Sequence, residues 1–137
     1  RTPCRAPACP HPPPMSDFPE RWKRDVRNAD IATLDIPASA QRRRLFEIDV
    51  RFVVRTAEQA QGAWHELTVE LDGQRQWQRR IDTNNLGSTD TLDYHCRQDL
   101  SVGQALRVRA ITKVGGRSTA KGAAPLRERL VIEAEEQ

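Results

Sequence analysis

Polar and apolar residues alternate along most of this chain. In LFEIDVRFVVRT, residues 45–56, Phe46, Ile48, Val50, Phe52 and Val54 share one phase, and Glu47, Asp49, Arg51 and Arg55 share the other. A period of two is the repeat of a β-strand, whose successive side chains point to opposite faces. The pattern therefore predicts a strand with one buried and one wet face. WHELTVELDG repeats it, with Leu67, Val69 and Leu71 inward and Glu66, Thr68 and Glu70 outward. Asp72-Gly73 then predicts a tight hairpin, because a type I′ turn needs positive φ at both central residues. QRQWQRRID returns from that turn with Trp77 and Ile81 on one face.

The pattern continues after the turn cluster TNNLGST. DTLDYHCRQDL sets Leu92, Tyr94 and Cys96 against Asp93, His95 and Arg97. QALRVRAITKV sets Leu106, Val108, Ala110 and Val114 against Arg107, Arg109 and Lys113. A last strand in PLRERLVIEAE presents Leu126, Leu130 and Ile132. Ahead of these runs, SDFPERWKRDVRNADIA (16–32) predicts a short helix. Ser16 or Asp17 caps it, Pro19 and Glu20 suit its first turn, and Trp22, Val26 and Ala29 recur at helical spacing. LDIPAS predicts a β segment ending at Pro37.

One-sided alternation means antiparallel sheets, each with one solvated face. Two such sheets packed face to face make an all-β sandwich of six or seven strands behind a short N-terminal helix; a small open barrel is the alternative. The division expected is a proline-rich tail over 1–15, the helix and a connecting segment over 16–41, and the sandwich over 42–137. The tail, RTPCRAPACPHPPP, carries six prolines in fourteen residues, which removes N–H donors and forbids regular structure. It reads as a leftover of upstream translation or cloning, with a polyproline ligand for an aromatic groove as the alternative.

VRAITKVGGRSTA (108–120) resembles the penultimate strand and following turn of a fibronectin type III module, and DTLDYHCRQDLSVGQALRVRA (90–110) resembles the strand and turn before it. The resemblance implies an immunoglobulin-like antiparallel sandwich. The family's tyrosine in the penultimate strand would fall near Leu106, and its early core tryptophan within FEIDVRFVV, where only phenylalanine stands. The fold is carried over, and adhesion roles are not.

Composition adds little. The 137 residues hold 22 Lys and Arg against 19 Asp and Glu, a net charge of +3. Counting from Met15 loses Arg1 and Arg5 and leaves 20 − 19 = +1. Nineteen of the basic residues are arginine, a bias that a bacterial genome rich in G and C produces by itself. No apolar run approaches the ~18–20 residues of a membrane span, and the start lacks the apolar core of a signal peptide. A cytoplasmic location with no membrane partner is the expectation.

The chemistry-bearing residues do not assemble into a motif. Ser16, Ser39, Ser88, Ser101 and Ser118 lie in no G-x-S-x-G elbow. Cys96 and His95 are adjacent on a strand and so face opposite ways. His11, His65 and His95 form no H-E-x-x-H, and Cys4, Cys9 and His11 lack zinc-knuckle spacing. The glycines at 115–116 lack the Lys-Ser/Thr of a phosphate loop. No catalytic, cofactor or metal site is expected, and the domain is read as a non-enzymatic binding module.

The candidate binding residues are Arg97, Arg107, Arg109, Lys113, Trp64 and Trp77. Arg107, Arg109 and Lys113 share the outer face of one strand, with Arg97 on a neighbour, and Trp64 and Trp77 flank the hairpin. Arginines beside aromatics suit nucleic acid or another polyanion. Exposed tryptophan suits sugar stacking. The simpler reading is a solvated face paired across strands with Asp93, Glu128 or Glu133, and core positions for both tryptophans. The partner expected is another protein or a second copy, with self-association through the edge of the last strand, LRERLVIEAEEQ.

Overall fold

A computed structural model describes residues 19–116 and 124–137. The proline-rich tail, with Cys4, Cys9 and His11, lies outside these residues, as does Ser118. Eight strands follow in order: β1 Arg21–Val26, β2 Ile31–Ile36, β3 Arg44–Arg55, β4 Trp64–Leu71, β5 Gln74–Asp82, β6 Thr89–Leu100, β7 Leu106–Gly115 and β8 Leu126–Glu136. They form two four-stranded antiparallel sheets, ordered β1-β8-β3-β6 and β2-β7-β4-β5. Among the described residues no helix is long and apolar enough to cross a membrane.

The order has a simple logic. The first strand pairs with the last, the second with the seventh, the third with the sixth and the fourth with the fifth. That is one long hairpin, folded at the β4–β5 turn. It is rolled over so that β8 also meets β3 and β7 also meets β4. Eight antiparallel strands wound this way are a jelly roll. The tip of the hairpin is Asp72-Gly73, with φ of +50° and +82°, as the type I′ turn requires. In an immunoglobulin-type sandwich the last two strands are neighbours in one sheet. Here β7 and β8 lie in opposite sheets, so the fibronectin-like arrangement gives way to the rolled hairpin, and eight strands stand where six or seven were expected.

The N-terminal helix is also overturned, since residues 21–26 are β1. Trp22 and Val26 are four residues apart, which is one helical turn but also two strand repeats. As β1 they turn toward the core, and Arg24 between them donates to the Thr33 carbonyl of β2 at 3.2 Å. Asn28, at φ +56°, makes the turn into β2, and β2 stops one residue short of Pro37.

The core fills the space between the sheets. Phe46, Ile48, Val50, Phe52 and Val54 of β3 face Leu67, Val69, Val108 and Ala110 of the other sheet, all essentially sealed from water. The last strand departs from its expected phase. Leu130 and Ile132 are buried, but Leu126 is 70% exposed. The β3–β8 register shifts between Val53 and Val54, so Glu128 is an extra residue. Such a bulge reverses the facing of everything before it. Arg127 takes the inward position and donates to Thr112 Oγ1 at 2.9 Å, and Leu126 is turned out.

The chain enters and leaves the roll side by side. The Glu136 N–H donates to the Glu20 carbonyl at 2.8 Å. Arg42 bonds both Glu136 and Glu20, reaching Glu20 Oε2 at 2.8 Å. Arg44, 2% exposed, donates to Glu20 Oε1 at 2.8 Å and to the Pro37 carbonyl at 2.9 Å. The Arg42 guanidinium holds the Glu136 carboxyl below the usual carboxylate range.

Candidate functional site

The fold separates the six candidate residues. Arg107, Arg109, Lys113 and Trp64 do share the outer face of the β2-β7-β4-β5 sheet. Arg97 lies on β6, in the other sheet, and not on a neighbour of β7. Trp77 faces inward and stacks on Tyr94 of β6, with ring centroids 4.9 Å apart, joining the margin of the core.

The basic face of β7 is interleaved with acids. Arg107 donates to Asp35 Oδ1 at 2.8 Å, and its own N–H donates to Asp72 Oδ1 at 2.8 Å. The Arg107 hydrogen bond holds the Asp35 carboxyl below its ordinary value. Arg109 stands between Thr33 and Glu70 in the register, and Lys113 opposite Glu66. The acids expected as partners of this face lie elsewhere. Asp93 pairs with Arg51, Glu128 with Arg55 and Glu133 with Arg21, all in the other sheet.

Trp64 is not an open stacking platform. Arg80 lies over its ring, 3.7 Å from the centroid. Beneath it is Gly115 of β7, where a Cβ would come within 2.3 Å of the ring. Arg80 also donates to the buried Glu66 at 3.1 Å. Glu66 and Thr68 are outward in phase yet buried, Glu66 beneath Arg80 of β5.

The outer face of the β1-β8-β3-β6 sheet is a checkerboard of ion pairs. Arg51 meets Asp93 at 3.0 Å, Arg97 meets Glu47 at 3.8 Å, and His95 Nδ1 lies 2.8 Å from Asp49 Oδ1. A shallow groove of about 600 Å³ runs over this face, lined by both signs of charge, including Lys23, Arg129, Asp49 and Glu133. Cys96 points the other way, half-buried, and burial pushes its thiol pKa up. Its neighbour His95 is on the opposite face, so no Cys–His pair forms.

Among the described residues the topology leaves four edge strands, β1 and β2 on one side of the roll and β5 and β6 on the other. Unpaired edges invite another chain, and proteins blunt them with short length, bulges, charge or covering groups. β1 and β2 have six residues each, and Arg24 occupies the Thr33 carbonyl on the β2 edge. β5 carries a bulge at Gln76, where the register with β4 shifts, and the exposed Arg79 stands at an inward phase. β6 is neither short nor bulged, although it does carry charge at Asp90, Asp93, Arg97 and Asp99. It runs for twelve residues without a register break against β3, and contains neither lysine nor proline. The edge of β8, expected as the association edge, is covered on both sides by β1 and β3.

Hydrogen bonds fix which groups β6 presents. The Thr91 N–H donates to Asp90 Oδ1 at 3.0 Å, and the Thr89 carbonyl accepts from Asn85 at 3.1 Å. Antiparallel ladders alternate, so odd-numbered residues turn their backbone groups away from β3. From Asp93 through His95 and Arg97 to Asp99, those groups face an open edge among the described residues.

Comparisons with known proteins add no family. No protein-family model matches the chain, and no curated protein matches it. Among solved structures, the dimeric latent PorU of Porphyromonas gingivalis is similar at 13% identity and a TM-score of 0.47, over 85% of this chain and 11% of that one. A structure of the infectious bursal disease virus Gt strain is similar at 18% identity and a TM-score of 0.35, over 96% of this chain and 40% of that one. The chain thus spans less than half the length of either, and at these scores neither likeness bears on function.

Proposed function

We propose that this domain is a binding module that works by strand addition, with β6 taking up an extended segment of a partner protein. The observation that carries this reading is the contrast among the four edges. Three are shortened, capped or bulged, and β6 is long, regular and, among the described residues, open on one side. Backbone hydrogen bonds along an edge supply affinity, and alternate side chains supply selectivity. For β6 the selecting side chains are Asp93, His95, Arg97 and Asp99 on one face and Tyr94 and Cys96 on the other.

A polyanion reading would rest on Arg107, Arg109 and Lys113. Asp35, Glu70 and Asp72 stand among them, which weakens a field meant to attract phosphate. A sugar reading would rest on Trp64, whose ring is overlaid by Arg80 and packed close against Gly115.

The test is a display library of random peptides selected on the chain and then counter-tested on His95→Pro. Proline at this position removes an N–H that faces the open edge while leaving the ladder to β3 intact. The expected result is enriched peptides that lose binding to the variant and that slow amide exchange at His95 and Arg97. Peptides that bind His95→Pro equally well, or none enriched at all, would overturn strand addition at β6.

A further inference from the structure

The charges along β6 are complementary to themselves. We infer that the segment β6 accepts is β6 of a second copy, paired antiparallel about a two-fold axis through His95. This rests on the strand-addition reading above and names its partner.

In a two-fold antiparallel pair, each residue faces the one at the mirrored distance from the axis. Centred on His95, Asp93 of each copy faces Arg97 of the other. Each of these already has an opposite charge behind it on β3, since Asp93 meets Arg51 and Arg97 meets Glu47. The dimer would therefore carry rows that read Arg51, Asp93, Arg97, Glu47 across four strands, with the sign alternating at every step. Shifting the axis by one residue, to Cys96, sets Asp93 against Asp99, which opposes like charges. Asp93, His95 and Arg97 are also the residues whose backbone groups face the edge. Three hydrogen-bonded pairs, each exchanging two bonds, would form about six bonds. On the inner face the same register covers Tyr94 and Cys96, both half-buried now.

The symmetry also stops growth. A two-fold contact consumes the same edge on both copies, and the remaining edges are short, capped or bulged. The assembly is a closed dimer with an eight-stranded sheet on one side.

The experiment is sedimentation velocity in reducing buffer on the whole chain and on Asp93→Lys and Arg97→Glu, alone and mixed. The wild type should show a reversible monomer–dimer equilibrium and nothing larger. Each variant alone opposes like charges twice and should self-associate about tenfold more weakly or less. Mixing the two variants restores both opposite-charge pairs. The introduced lysine of one copy faces the introduced glutamate of the other, and the unaltered Arg97 faces the unaltered Asp93, so a one-to-one heterodimer should return. Without any variant, amide exchange at Asp93, His95 and Arg97 should slow as wild-type concentration rises. A wild type that stays monomeric at hundreds of micromolar overturns the second copy as partner, and leaves strand addition to the peptide selection. A dimer indifferent to both substitutions, or a mixture that recovers nothing, overturns the His95-centred register.

Discussion

Replacing Gly115 by alanine adds one methyl group, and its effect should depend on Trp64. Gly115 ends β7 directly opposite Trp64 of β4. Its φ is not in the left-handed region, so the backbone accepts alanine. In a strand, alanine in place of glycine should then stabilise by about 0.5–1 kcal/mol, through the lower entropy of the unfolded chain. The packing opposes this. The new Cβ would lie 2.3 Å from one ring carbon of Trp64 and 2.4 Å from another. The indole is rigid, and Arg80 lies over its ring 3.7 Å away, so it has little room to retreat. Overpacking of this kind costs about 1–3 kcal/mol. In the Trp64→Thr background the obstacle is gone, and the sign should reverse. The entropy gain is common to both backgrounds and cancels, so the coupling between the two sites is about 1–3 kcal/mol. Urea unfolding of the four proteins, followed by far-UV circular dichroism, measures it, provided the denaturant slope is the same in all four. If Gly115→Ala costs the same with and without the tryptophan, Trp64 does not sit on Gly115, and the account of that face fails.

Two further expectations concern the core. His65 is fully buried, with Nδ1 2.7 Å from Thr83 Oγ1, and burial lowers its pKa from 6.5. Below that value the unfolded chain takes up a proton that the folded one resists, so stability should fall as pH drops from 7 toward 5, by up to about 1.4 kcal/mol per unit. His65→Phe should lose that part of the slope in chemical unfolding series run across pH, and an unchanged slope would remove His65 as its source. Leu130→Ala should cost about 2–5 kcal/mol and Leu126→Ser less than about 0.5 kcal/mol, since Leu130 is 1% and Leu126 70% exposed; comparable losses would contradict the bulge at Glu128.

Much of this architecture can be read from local pattern. The alternation of β3 names its five core residues, and Asp72-Gly73 marks the fold's tip. Both are properties of one or two neighbouring strands. The failures share a physical origin. Trp22 and Val26, four residues apart, satisfy helix and strand alike, and only pairing with β8 decides between them. Leu126 is misplaced because a bulge shifts phase without a mark in composition. Alternation assigns a residue to a face but never to a neighbour. Arg97 and Arg107 look equivalent on that basis and fall in different sheets. Glu66 is outward by phase and still buried, because Arg80 reaches over from the neighbouring strand β5 to bond it. The openness of β6 is a fact of sheet order alone. The usable signal is in its own residues, where a run of opposite charges matches itself when reversed. The two glycines at 115–116 read as a turn, and the first of them, the last residue of β7, also makes room for a tryptophan far earlier in the chain.

The meeting of the two ends at Glu20 and Glu136 has a mechanical consequence. A pull on the segments flanking this domain would not shear a sheet. It would arrive at one end of the β1–β8 pair and open that pair like a zipper, a rung at a time from Arg21 and Glu135 toward Val26 and Leu130. Strands loaded this way resist weakly, because each hydrogen bond bears the tension alone. The first groups to feel it are the charges of Arg42, Glu20 and Glu136. They act as the zipper's stop, and salt or acid that loosens them should lower the force at which the whole roll begins to open.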